Sequence, residues 1–130
     1  MEEIEKDLAV SPHKGQTGLR RLFNAFFYSL EGFRAAFRYE DAFRQETLLA
    51  LVLVPLALFL PVSGLGKALM IGAVLLVLMV ELINSAVEAT VDRISLENHQ
   101  LAKRAKDLGS AAVFVSLVNV VAVWALVLIG

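Results

Sequence analysis

The sequence predicts an all-α membrane protein: three transmembrane helices, preceded by an amphipathic surface helix and assembled as copies of one chain. Three observations lead there. Hydrophobic residues make up 58 % of the 130 residues, and mean hydropathy is +0.69, more apolar than an ordinary soluble domain of this size. Three stretches can cross a bilayer if their flanks are included. Ahead of them, large apolar residues recur at helical spacing. One domain fits the length. The absence of cysteine excludes a disulfide framework and a cysteine-based metal site.

The first segment, "MEEIEKDLAVSPHKGQTG", is acidic and polar. It lacks the basic start and apolar core of a signal peptide. Residues 1–18 are expected to form a mobile tail, and 19–130 the membrane domain. The surface helix is expected over 19–40. Leu19, Leu22, Phe23, Phe26, Leu30, Phe33 and Phe37 share one side, with Arg20, Asn24, Glu31, Arg34 and Arg38 on the other. A basic, aromatic-rich helix of this pattern suits the membrane interface.

Span one is expected over about 42–60. Its strictly apolar part, "TLLALVLVPLALFL", falls short of the ~20 residues a span needs. Gln45 and Glu46 are therefore drawn in near an interface. Pro55 is expected to bend this helix. "PVSGLG" holds turn formers. Span two follows over about 67–91. Span three, about 108–129, is apolar except for Ser110, Ser116 and Asn119. Asn119 reads as a helix–helix hydrogen-bonding residue.

Lys6, Lys14, Arg20, Arg21, Arg34, Arg38 and Arg44 precede or enter span one. Arg93, Lys103, Arg104 and Lys106 lie between spans two and three, whereas the short loop after span one has only Lys67. Positive charge stays inside. The N-terminus and the second loop should therefore be cytoplasmic.

Span two carries the chemistry. After the uncharged "ALMIGAVLLVLMV" comes "ELINSAVEATVDR". Glu81, Asn84, Glu88 and Asp92 are spaced three, four and four, which puts them on one helix face. Glu81 lies roughly 18 Å along the helix from Arg93. A charge at bilayer centre costs at least ~2.5 kcal/mol, so such a carboxylate marks function by default. Asp92, beside Arg93 at the helix end, reads more simply as a structural polar group. Carboxylates on one face can bind a hard cation such as Mg²⁺, serve as a general base or relay ions. The neighbouring cations Arg21, Arg34, Arg44, Lys103, Arg104 and Lys106 favour a phosphorylated ligand with metal. No P-loop and no kinase-type glycine loop is present. An ion carrier would need polar residues continuing outward, and "ALMIGAVLLVLMV" has none. Three spans cannot surround the polar face, so a second copy is expected to cover it.

"EDAFRQE", "VELINSAVEATVDR" and "LAKRAKDLGSAAV", in this order on the three spans, closely resemble the bacterial integral-membrane diacylglycerol kinase family. The resemblance covers about Leu19 to Trp124. It implies a homotrimer of three-span protomers in the bacterial inner membrane. These transfer the γ-phosphate of ATP, with Mg²⁺, to the hydroxyl of diacylglycerol. Glu81 matches the catalytic base, and Glu40 and Glu88 match the metal ligands. Asn84 would orient Glu81 or the γ-phosphate. Lys106 and Asp107 match a nucleotide-binding pair, and Arg21 a phosphate contact. Tyr28, Glu97, Asn98 and His99 match the nucleoside side, where the family often has an aromatic residue in place of Asn98. Arg44, Gln45 and Glu46 match residues lining the lipid approach, with Arg34 and Ser110 as further supporting positions. Leu30 and Phe37 stand where tryptophans are common. A related undecaprenol kinase shares fold and motif and is the alternative. No nucleic-acid partner is expected.

Overall fold

A computed structural model describes residues 17–94 and 99–130. Glu97, Asn98 and residues 1–16 of the expected tail lie outside the described residues. The chain is all-helical there: α1 Leu19–Tyr39, α2 Asp41–Phe59, α3 Gly64–Ile94 and α4 Gln100–Ile129. The last three are long and apolar enough to cross a membrane. The chain divides into two compact units, residues 1–35 and 36–130.

In the first unit, Gly18 has a φ of 67°, a left-handed conformation that glycine adopts without steric cost. It leads directly into α1. The aromatic and aliphatic residues Leu19, Leu22, Phe23, Phe26, Phe27 and Phe33 are all exposed. Phe26 and Phe27 meet edge to face, with ring centroids 6.2 Å apart.

In the second unit α3 packs against both α2 and α4. Its buried residues are Gly66, Met70, Ala73, Val74, Val77, Glu81 and Asn84. From Met70 onward the steps are three, one, three, four and three, which describes one helix face. That face is apolar as far as Val77 and polar from Glu81. The stripe that packs the first half of α3 thus becomes the polar cluster of its second half.

Local chemistry sets the helix ends. Glu40 stands at the N-cap of α2 with extended backbone. Arg44 donates to the carbonyls of Phe37 at 3.1 Å and Arg38 at 2.9 Å, and it pairs with Asp41. Arg44 thereby satisfies carbonyls at the end of α1 and braces the corner holding Glu40. The α2 helix continues through Pro55, whose missing N–H removes one helical bond. It ends before Pro61. Lys67 Nζ donates to the Leu58 carbonyl at 2.6 Å, and Ser63 Oγ accepts from Gly66 N at 3.0 Å, capping α3. His99 is the N-cap of α4, its Nδ1 accepting from Leu101 N at 3.1 Å.

Helices α3 and α4 have 31 and 30 residues, about 45 Å each at 1.5 Å per residue. Each exceeds the apolar span expected from hydropathy. Gly64 to Gly66, read as part of a turn, already belong to α3, and α4 starts two turns before 108. Polar helix formers such as "QLAKRAK" continue a helix that a hydropathy criterion cuts short.

Gly66 lets α4 come close to α3: an added Cβ would sit 3.0 Å from Val127 Cγ1. Trp124 Nε1 donates to the Met70 carbonyl at 3.1 Å. Trp124→Phe keeps the ring and removes this bond. It is expected to lower the thermal midpoint slightly, by about 0.6 kcal/mol of stability, with turnover unchanged. An unchanged midpoint would show that the bond contributes nothing. Asn119 is half-buried and makes no side-chain hydrogen bond to other described residues of the chain. Only 6 % of the most apolar window of α4 is buried, which leaves its outer surface for lipid or another copy.

Candidate active site

The buried polar residues of the second unit are Glu81, Asn84 and Ser116. Ser116 Oγ donates to the Val113 carbonyl at 2.6 Å, inside its own helix. Glu81 and Asn84 are different. Glu81 is 5 % exposed and Asn84 8 % exposed, and each has a buried oxygen without a hydrogen-bond partner among the described residues. Stranded polar atoms are costly in an apolar interior, and such exceptions call for a functional account.

Glu46 of α2 and Glu81 of α3 are close enough to act on each other electrostatically, and each keeps a buried oxygen without a hydrogen-bond partner among the described residues. Glu40 and Glu88 add their fields at Glu81. Asn84 Nδ2 points to Glu88 Oε1 at 3.5 Å, a long contact one turn away. The cluster therefore draws on the start of α2 and the C-terminal half of α3.

Helix α4 supplies the cations. Lys106 Nζ lies 2.6 Å from Asp92 Oδ1 and within electrostatic reach of Glu88. Lys103 Nζ lies 2.7 Å from Asp107 Oδ2. Lys106 and Asp107, adjacent in sequence, thus pair with different partners. The pairing of Asp92 with Lys106 agrees with a structural role for Asp92. Both ion pairs are substantially exposed, so their partners can be exchanged for a ligand at little cost.

Among the remaining sequence-expected residues, Gln45 and Ser110 are exposed and make no side-chain hydrogen bond to other described residues. His99 is an N-cap and lines an apolar cleft of about 370 Å³ with Val91, Ile94, Leu101 and Ala102. Arg21, Tyr28 and Arg34 belong to the first unit, where Arg34 pairs with Glu31 at 3.2 Å.

The donors suit Mg²⁺ by chemistry. Glu40 and Glu88 offer hard carboxylate oxygens, which Mg²⁺ prefers. No group of three or more His, Cys, Asp or Glu able to hold a metal occurs among the described residues. Mg²⁺ in phosphoryl-transfer sites needs only one or two carboxylates, with substrate phosphates and water completing its shell.

The sequence matches the family model described as prokaryotic diacylglycerol kinase over residues 27–128. That match spans all three long helices. The chain belongs to the prokaryotic diacylglycerol kinase family. It is similar to the diacylglycerol kinase of Pseudomonas aeruginosa, 59 % identical over 123 residues, covering 95 % of this chain and all of the relative. The diacylglycerol kinase of Haemophilus influenzae is 53 % identical over 108 residues, 83 % of this chain and 92 % of the relative. That of Escherichia coli is 46 % identical over 112 residues, 86 % of this chain and 92 % of the relative. Family membership makes this protein a membrane kinase, a phosphotransferase with an alcohol acceptor.

Two features of the site escaped the sequence reading. One is the closeness of Glu46 to Glu81, which joins residues 35 apart on different helices. The other is Gly109, which faces Asn84 across the α3–α4 contact. Its signal was present: "GSAA" is a run of small residues, the usual mark of closely approaching membrane helices.

Proposed function

We propose that this protein transfers the γ-phosphate of ATP to the free hydroxyl of diacylglycerol, giving phosphatidic acid. The reaction would take place at the cytoplasmic face of the bacterial inner membrane, in a homotrimer. The observation that carries the reading is Glu81, a carboxylate buried in a helix long enough to cross a membrane, with Glu46, Asn84 and Glu88 gathered around it. The names of the similar proteins support diacylglycerol as acceptor over undecaprenol.

Phosphoryl transfer asks for positioning and charge neutralisation more than covalent help. The lipid hydroxyl would sit just below the headgroups, where Glu81 is proposed to reach it. Glu81 would accept its proton, with the Glu46 carboxyl close beside it. Glu88 and Glu40 would hold Mg²⁺, which when bound neutralises phosphate charge. Lys106, released from Asp92, would contact the phosphates, with Arg21 as a further cation. The cleft lined by His99, Val91 and Leu101 offers the apolar surface a nucleoside base needs. On the family resemblance, Tyr28, Glu97 and Asn98 would contact the nucleoside. Arg44, besides bracing Glu40, would border the lipid approach with Arg34, Gln45 and Ser110.

The test supplies γ-labelled ATP to the purified protein with diacylglycerol and undecaprenol in separate reactions. Label is expected in phosphatidic acid. Label only in undecaprenyl phosphate would move the protein to the alternative acceptor. Label in neither lipid would refute both.

A further inference from the structure

The α3–α4 contact carries an arrangement that the reaction itself does not explain. A Cβ added at Gly109 would fall onto Asn84 Oδ1 and come within 3.1 Å of Asn84 Cγ. The Asn84 amide therefore occupies the space that any other residue at 109 would fill. The amide is directional. An ionised carboxylate only accepts hydrogen bonds, so the amide nitrogen is the atom that faces Glu88, at 3.5 Å. The oxygen then points at α4, where it is buried without a hydrogen-bond partner among the described residues. Only the hydrogens of a glycine leave room for it, and a Cα–H···O contact is the weak bond left to that oxygen.

The other glycines show that this is no general feature of the helices. Gly72 has nothing within 4 Å of an added Cβ. Gly66 is tight against Val127, at the far end of α3 from the carboxylates. Gly109 alone abuts a polar side chain of the site among the described glycines, and it lies one turn after Lys106.

We propose that Gly109 is a positioning residue. By leaving space for the Asn84 amide, it keeps the amide nitrogen on Glu88 and so holds that carboxylate for metal. The proposal rests on Glu88 being a metal ligand. A methyl at 109 would push the amide aside, free Glu88 to rotate and weaken metal binding. It would not remove a ligand.

The test measures binding of Mn²⁺, as a paramagnetic stand-in for Mg²⁺, to the purified full-length protein with a non-hydrolysable ATP analogue. Thermal midpoints are recorded on the same samples. Gly109→Ala is expected to weaken Mn²⁺ binding ~10–100-fold, the usual loss when a residue supporting a metal ligand is disturbed. Gly66→Ala is expected to lower the midpoint and leave Mn²⁺ binding unchanged. In the Asn84→Ala background, Gly109→Ala should have no further effect, because the amide it displaces is gone. The double variant also decides the matter if Gly109→Ala alone fails to assemble, since its methyl enters vacated space. Unchanged Mn²⁺ binding in Gly109→Ala would overturn the proposal. So would a loss that adds in full to that of Asn84→Ala, or an equal loss in Gly66→Ala. Glu88→Gln, measured alongside, separates the two claims. If it binds Mn²⁺ normally, the metal assignment fails; if it binds weakly while Gly109→Ala binds normally, only the positioning role fails.

Discussion

Glu81→Gln is expected to reduce turnover by roughly 10²–10⁴-fold, the usual contribution of a positioned general base. The substitution preserves volume, so the α2–α3 contact survives. What disappears is an oxygen basic enough to take the lipid hydroxyl's proton. ATP binding should persist, because Glu81 lies almost two turns deeper along α3 than Glu88 and is only 5 % exposed. Turnover and binding of a non-hydrolysable ATP analogue, measured on one preparation, check both halves. Normal turnover would remove Glu81 from the base role. Lost nucleotide binding would place it on the triphosphate instead.

Mixing two inactive variants is expected to create activity. Glu81 is on α3 and Asp107 is on the exposed side of α4, with its side chain 62 % accessible within one chain. In the proposed homotrimer, Asp107 of one chain completes the site around Glu81 of the next. Glu81→Gln and Asp107→Asn alone should both be inactive. After verified exchange of subunits in equal amounts, each site draws both intact groups with a chance of one half apiece. About one quarter of the sites should then recover, by symmetry. No recovered activity would assign each site to a single chain.

How far the sequence foretold this arrangement differs from residue to residue. The α3 face was readable because its signal is local: carboxylates and an amide at spacings of three and four interrupt an apolar run. Contacts across helices carry no such spacing. Glu46 stands next to Gln45 and Thr47 in a helix whose register against α3 depends on packing along both. Its closeness to Glu81 could not be read from either segment. Arg44 shows the same limit. Its place in "EDAFRQE" marked it as a site residue, while its bonds to Phe37, Arg38 and Asp41 make it the brace of a corner. The helices run past the expected spans, since apolar length measures the bilayer and backbone hydrogen bonding continues beyond it. Asn119 is expected to bond between helices because polar groups in spans need partners, and among the described residues of one chain it has none.

The central claim is that one face of α3 divides its labour by depth, with metal at Glu88 and proton transfer at Glu81. An Mg²⁺ titration of turnover in Glu88→Gln and Glu81→Gln, side by side at saturating ATP and diacylglycerol, tests this most directly. A hard cation that loses one carboxylate should bind more weakly. Glu88→Gln is therefore expected to need ~10-fold or more additional Mg²⁺ for half-maximal turnover, with activity climbing as metal is added. Glu81→Gln should keep the ordinary half-saturating Mg²⁺ and stay slow at every concentration. An unchanged titration in Glu88→Gln, or rescue of Glu81→Gln by metal, would contradict the division.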